Sequence, residues 1–254
     1  MTEPTLRVEG LAKRYATYRS EVLRFATWFG LPAKPHKEFW ALQDVSFTLE
    51  RGHSLGIIGA NGAGKSSLLK AIAGTIQPTR GRVEAHGLTA AVLELGLTFD
   101  PELTGSENVE LYAHLLGMEP AQIRELEPAI RAFAEIGDAF DEPMRTYSTG
   151  MLARVAFAVA TARRPDLLIV DEVLSVGDGY FQNKSFNRIL EFRAAGTSIV
   201  FVSHGIEGVA AICDSAIWLD GGKVAMVGPA SEVCDAYRAA IEVAKASAAA
   251  IAQV

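Results

Sequence analysis

The chain is poor in the residues that build disulfide or metal frameworks. Its two cysteines, Cys213 and Cys234, lie apart, with no CxxC spacing and no clustered histidines, so neither framework is expected. A basic surplus is missing too: 24 Lys and Arg face 30 Asp and Glu, for a formal net charge of −6. That balance argues against a dedicated nucleic-acid binder. No apolar run approaches the roughly eighteen residues that a membrane span needs. The most tempting, Val155 to Ala162, is bounded by Arg154 and Arg163. The start, Met-Thr-Glu-Pro, has no basic-then-apolar leader pattern. A cytosolic chain is the expectation, and any work at a membrane would require spans from a separate subunit. No internal repeat is visible, and only one phosphate-binding motif occurs.

That motif is Gly59-Ala60-Asn61-Gly62-Ala63-Gly64-Lys65-Ser66, which fits G-x-x-x-x-G-K-[ST]. The apolar run His53 to Ile58 before it reads as a buried strand. The run from Ser67 to Ala73 after it has helical spacing and stops at Gly74. Strand, glycine loop and helix are the context that makes this motif credible. The glycines let backbone N–H groups turn inward around a triphosphate, and the helix adds its positive end to the same anion. Lys65 supplies a mobile charge for the phosphates, and the Ser66 hydroxyl is placed to hold Mg²⁺. A nucleotide on this loop is the expectation.

Elsewhere, Leu6 to Val8 reads as an edge strand and Trp40 to Leu49 as the next strand region. Between them Arg19 to Phe29 places Val22, Phe25, Ala26 and Phe29 at helical spacing, which suggests an amphipathic helix. That helix either packs on its own domain or docks on a membrane partner. Gly81 to Gly87 and Thr89 to Leu95 read as strands. Thr104-Gly-Ser-Glu107 has capping-box spacing before a helix closed by Gly117, and Ala121 to Ile136 is a helix interrupted at Pro128. These helices break the strand–helix alternation and suggest a subdomain. The alternation resumes with strand Asp166 to Asp171, helix Tyr180 to Ala195, strand Thr197 to Val202 and helix Ile206 to Ile212. A hairpin turning at Asp220-Gly-Gly222 and an alanine-rich helical tail complete the chain.

The strand ending in Asp171-Glu172 supplies the second half of a phosphate-loop site. A carboxylate at that strand end holds Mg²⁺ from the side opposite Ser66, and Glu172 is placed to orient or deprotonate an attacking water. Ser148 would cap a helix running to Ala162, an anion site with no anion of its own. A symmetric dimer resolves this: each chain's helix end meets the nucleotide on the other's loop. His204, at the end of the next strand, either donates a hydrogen bond to a γ-phosphate or is a satisfied strand-end histidine.

In this order these residues resemble the nucleotide-binding subunit of the ABC transporter family, over nearly the whole chain. Gly59 to Ser66 is similar to Walker A, with Gly59, Asn61, Gly62, Ala63, Gly64, Lys65, Ser66 and the adjoining Ser67 as nucleotide contacts. Leu167 to Asp171 is similar to Walker B, with Glu172 as catalytic glutamate and His204 as switch histidine. Ser148-Thr149-Gly150 resembles the signature, with Thr149 where glycine is usual and Met151 where glutamine is usual. Ser175 to Asp178 is similar to the D-loop. Tyr15, or Tyr18 close by, falls where the family stacks an aromatic on adenine. The usual glutamine is absent from Val92 to Phe99, where Glu94 is the nearest polar residue. The resemblance implies an α/β fold: a P-loop NTPase (ABC ATPase) with RecA-like core, antiparallel β subdomain and inserted α-helical subdomain. Residues 1–95 and 164–254 would form core and β subdomain, and 96–163 the helices.

The stretches Glu94 to Asn108, Tyr147 to Met151 and Asp171 to Asp178, with the insert before Phe39, narrow the likeness to ATPases that export lipid-linked polysaccharides. O-antigen, capsule and teichoic acid exporters are of this kind. Such a likeness implies ATP and Mg²⁺ as cofactors, a homodimer, separate transmembrane permease subunits and a peripheral place on the cytoplasmic face of the inner membrane. No nucleic acid is expected, and the polyprenyl-linked cargo would not be bound directly by this chain. The same engine with another lipid or drug cargo is the alternative. Some relatives carry a C-terminal carbohydrate-binding domain, which a chain ending at Val254 would lack.

Overall fold

A computed structural model describes residues 3–17, 36–92, 99–115, 117–171, 178–202 and 205–251. Strands β1 (Leu6–Thr17), β2 (Lys37–Leu49) and β4 (Arg80–Ala85) form an antiparallel sheet in the order β2-β1-β4. Within it β1 is the centre, not the edge that its start suggests: it pairs Leu6 with Leu49 on one side and with Ala85 on the other. Its edge is taken by residues far along the chain, which no local pattern announces.

The larger sheet takes β3 (Ser54–Ile58), β5 (Thr89–Val92), β6 (Leu167–Val170), β7 (Ser198–Val202), β8 (Ser215–Asp220) and β9 (Lys223–Pro229) in the order β5-β6-β7-β3-β8-β9. All neighbours are parallel except the β8–β9 hairpin. Every residue of β3, β6 and β7 is buried, as expected where helices cover both faces of a parallel sheet. Helices α1 (Lys65–Ile72), α5 (Gly179–Ala194), α6 (Ile206–Ile212) and α7 (Ala230–Ile251) accompany these strands. Two apolar clusters line the sheet: one built on Leu55, Ile57, Leu68 and Ile169, the other on Ile58, Leu168, Phe201 and Ile212. No helix among the described residues is long and apolar enough to cross a membrane.

Between β5 and β6 the chain forms α2 (Gly105–Leu115), α3 (Pro120–Ala134), two short 3₁₀ turns and α4 (Thr149–Ala160). They share a separate cluster of Val109, Ile130, Phe140, Met144, Val155 and Val159. The capping box is present: Glu107 N–H donates to Thr104 Oγ1 at 3.2 Å and Thr104 N–H to Glu107 Oε2 at 2.8 Å. Helix α3 runs through Pro128 without interruption and closes at Glu135 in the left-handed region. A helical proline costs about 3 kcal/mol. Ile123 and Ile130, buried on either side of it, hold both halves of the helix in place. The expected strand Thr89 to Leu95 is observed as far as Val92, and 93–95 lie outside the described residues, as does the Arg19–Phe29 helix.

Asn108, fully buried, ties this region together. Its Oδ1 accepts from Asp100 N–H at 2.8 Å, and its amide donates to the carbonyls of Asp100, Leu103 and Thr104 at 2.9–3.2 Å. The turn so formed receives Met144 N–H at Leu103 O and Arg145 N–H at Pro101 O, both at 2.9 Å. It therefore fixes the residues that lead into Ser148. Asn108→Ala removes these four bonds and leaves Asp100 N–H without its partner, and is expected to cost about 1–3 kcal/mol. Urea unfolding followed by circular dichroism measures it, and an unshifted midpoint would contradict the role.

Candidate nucleotide site

Strand β3 delivers the glycine loop to the carboxyl end of the parallel sheet, where open α/β folds take ligands. Two glycines are dictated by close approach. Gly59 (φ 152°) and Gly64 (φ 105°) sit where a Cβ would lie 2.3 Å from Leu219 O and from Ala41 O respectively. Ala63 N–H donates to Ala60 O at 3.1 Å to close the turn. Lys65 is buried and folds back over the loop, its ammonium donating to Gly59 O at 2.7 Å and Ala60 O at 3.0 Å. Gly64 caps α1, and no acidic side chain lies in that helix's first turn. The helix's positive end therefore faces the loop with no carboxylate of its own helix to neutralise it.

A cavity of about 330 Å³ opens here, lined by Asn61, Gly62, Gly64, Lys65, Ser66, Ser67, Asp171, Ala41 and Phe39. Asp171 follows β6, so the two halves expected from the sequence do meet in one place. Gly59 and Ala63 shape the loop without lining the cavity. Ser66 and Asp171 offer it a hydroxyl and a carboxylate, hard oxygen donors suited to Mg²⁺. Among the described residues no group of three or more His, Cys, Asp or Glu could hold a metal.

Two contributors escaped the sequence reading. Phe39 lines the cavity with 61% of its surface exposed, and its ring stacks on Tyr15 with centroids 5.5 Å apart. Tyr15 itself stands behind, its hydroxyl 3.5 Å from Ser67 Oγ. The signal was the β1–β2 register, which pairs Tyr15 with Phe39. The second is Gly222 in the hairpin turn, whose N–H donates to Ala63 O at 3.1 Å while its carbonyl accepts from Gln43 N–H at 2.7 Å. The turn braces the loop from behind.

The signature residues lie elsewhere. Ser148 caps α4 by accepting from Met151 N–H at 3.2 Å, and Ser148 and Thr149 are exposed. Neither they nor Gly150 line the cavity of their own chain. Asp178 is also outside it. It caps α5, accepting from Phe181 N–H at 2.9 Å and from Arg154 Nη2 at 2.6 Å, and these contacts hold its carboxyl below the ordinary range. Glu172, His204, Tyr18 and Glu94 lie outside the described residues. Cys213 is buried and its thiol is pushed up to about 12 by desolvation, which makes it a core residue.

Sheet order, loop and cavity define a phosphate-loop nucleotide-binding protein with an added antiparallel sheet and helical insert. A solved structure described as the ATP-binding subunit of an ABC transporter superposes with a TM-score of 0.73 at 25% identity, covering 92% of this chain and 93% of that one. The family model described as ABC transporter matches residues 42–175, and the chain belongs to the ABC transporter family. It binds ATP and hydrolyses it in support of transport.

Two relatives are each named O-antigen export system ATP-binding protein RfbB. The one from Myxococcus xanthus is 43% identical, with 97% of this chain and 56% of that protein matched. The one from Klebsiella pneumoniae is 40% identical, with 94% and 99% matched. The chain thus spans little more than half of the first and nearly all of the second.

Proposed function

We propose that this chain is the motor of an exporter that moves a polyprenyl-linked polysaccharide, such as O-antigen, across the inner membrane through a separate transmembrane subunit. The motor would sit at the cytoplasmic face. The motor reading is carried by the cavity that brings Lys65, Ser66 and Asp171 together. The cargo reading is supported by the two relatives named for O-antigen export.

In this reading the loop N–H groups and Lys65 hold the phosphates, while Ser66 and Asp171 hold Mg²⁺, which neutralises charge developing on the transferred phosphoryl group. Glu172 orients and deprotonates the attacking water, and His204 donates a hydrogen bond to the γ-phosphate. The exposed Ser148 end of α4 serves a partner's nucleotide, so that two chains form two composite sites. Purification with the membrane subunit, then ATP-dependent translocation of lipid-linked glycan into vesicles, tests the whole reading. A complex that hydrolyses ATP yet moves no glycan would overturn the cargo.

The aromatic shelf gives a sharper expectation. Phe39 is the ring at the cavity and Tyr15 its backing, so Phe39 is the one placed to stack on the base. Aromatic stacking is worth about 0.5–1.5 kcal/mol, so Phe39→Ala is expected to raise the Kd for ATP about 2–10-fold. Binding of inorganic tripolyphosphate, which has no base, should not change. Isothermal titration measures both. An unchanged ATP affinity in Phe39→Ala, together with a weakened one in Tyr15→Ala, returns the role to Tyr15.

A further inference from the structure

Strand β2 falls out of step with β1 where it passes the phosphate loop. Lys13 pairs with Leu42 and Leu11 with Val45, so between these pairs β2 carries one residue more than β1. Asp44, in that stretch, takes a left-handed φ of 56°. A bulge of this kind leaves the extra backbone without a ladder partner. Gln43 finds its partner elsewhere: its N–H donates to Gly222 O at 2.7 Å, and its side-chain Nε2 donates to Gly221 O at 3.2 Å. At Gln43, therefore, β2 is tied to the β8–β9 turn.

The fit around this tie is close. Gly222 (φ 81°) sits where a Cβ would lie 2.7 Å from Ala41 O, and Gly64 of the loop sits where one would lie 2.3 Å from the same oxygen. Ala41 O is thus held between loop and turn, which are joined directly by Gly222 N–H donating to Ala63 O at 3.1 Å. Gly221, the other left-handed glycine of the turn (φ 52°), has open space where its Cβ would be. Two residues before Ala41, on the same face of a strand whose side chains alternate, stands Phe39, and both line the cavity. Gly222 does not line it.

We propose that Gly222 is a positioning residue that sets the distance between the phosphate loop and the Phe39 ring, and so gives the site its preference for a nucleoside triphosphate over a bare polyphosphate. It acts by seating Ala41, and with it the end of β2 that carries Phe39. This rests on the reading of Phe39 as the ring that stacks on the base.

The test measures binding of ATP and of inorganic tripolyphosphate, by isothermal titration, to the full chain and to Gly222→Ala, Gly221→Ala, Phe39→Ala and the double variant of Gly222 and Phe39. A methyl at Gly222 meets Ala41 O, whereas one at Gly221 strains the same turn and meets nothing. The pair therefore separates seating of β2 from stability of the turn. Gly222→Ala is expected to raise the Kd for ATP about 2–10-fold, the range of one lost ring stack, and to leave tripolyphosphate binding unchanged. Gly221→Ala should change neither. The double variant should bind ATP no more weakly than Phe39→Ala alone, because both changes remove one interaction. If Gly222→Ala does not fold, Gln43→Met, which removes only the bond to Gly221 O, takes its place with the same readouts and the same direction of change. Equal weakening of both ligands, an equal effect in Gly221→Ala, or a further loss in the double variant would overturn the proposal. A loss of ATP affinity in Phe39→Ala with none in Gly222→Ala overturns it alone. Unchanged ATP affinity in Phe39→Ala overturns the stacking role of Phe39 and this proposal with it.

Discussion

Glu172→Gln is expected to bind ATP as the unaltered chain does and to hydrolyse it about 10²–10⁴-fold more slowly, the usual loss when a general base is removed. Glu172 follows Asp171, which leaves β6 and lines the phosphate cavity, and it is the residue to which the proposed mechanism gives the role of base. The amide preserves size and one oxygen but cannot accept a proton. Phosphate contacts from the loop, Lys65 and Ser66 are untouched, and binding should survive. Filter binding of labelled ATP and phosphate release, measured on the same preparation, separate the two. Near-normal hydrolysis would remove Glu172 from the role of base. Loss of binding would place it among the phosphate or metal contacts instead.

Much of this site could be read from the chain because its chemistry is local. The glycine loop, Lys65 and Ser66 are consecutive, and the constraint on Gly59 and Gly64 is a backbone one that leaves its mark at those positions. The strands β3, β6 and β7 could be read for a similar reason: burial on both faces demands unbroken apolar runs. The cap at Ser148 and the box at Thr104 and Glu107 are likewise short-range hydrogen bonds.

What escaped depends on pairing across the chain. Phe39 reaches the cavity because β2 pairs with β1 across a long insert and sets it against Tyr15. Gly222 braces Ala63 because the β8–β9 turn comes back to the loop from far along the sequence. Pro128 misled in the other direction: a local rule against proline was outweighed by the packing of Ile123 and Ile130. Asp178, placed by the sequence in a D-loop-like stretch, caps α5 and meets Arg154 within its own chain. Its neighbours are set by how α4 crosses α5, which residue spacing does not encode.

The exposed Ser148, away from the cavity of its own chain, is where the account is most open to refutation. Lys65→Ala removes a charge from the phosphates, and Ser148→Arg sets a bulky cation where a partner's nucleotide would meet the helix end. Each homodimer then carries a lesion in both composite sites and should be nearly inactive. In the mixed dimer one site carries both lesions and the other carries neither. The decisive measurement is therefore ATP hydrolysis by mixtures of the two variants at fixed total protein, with dimer exchange verified by differently tagged chains. Facing composite sites predict activity that rises from near zero in either pure variant to a maximum near equal proportions. Mixtures that stay inactive although mixed dimers are recovered would contradict them.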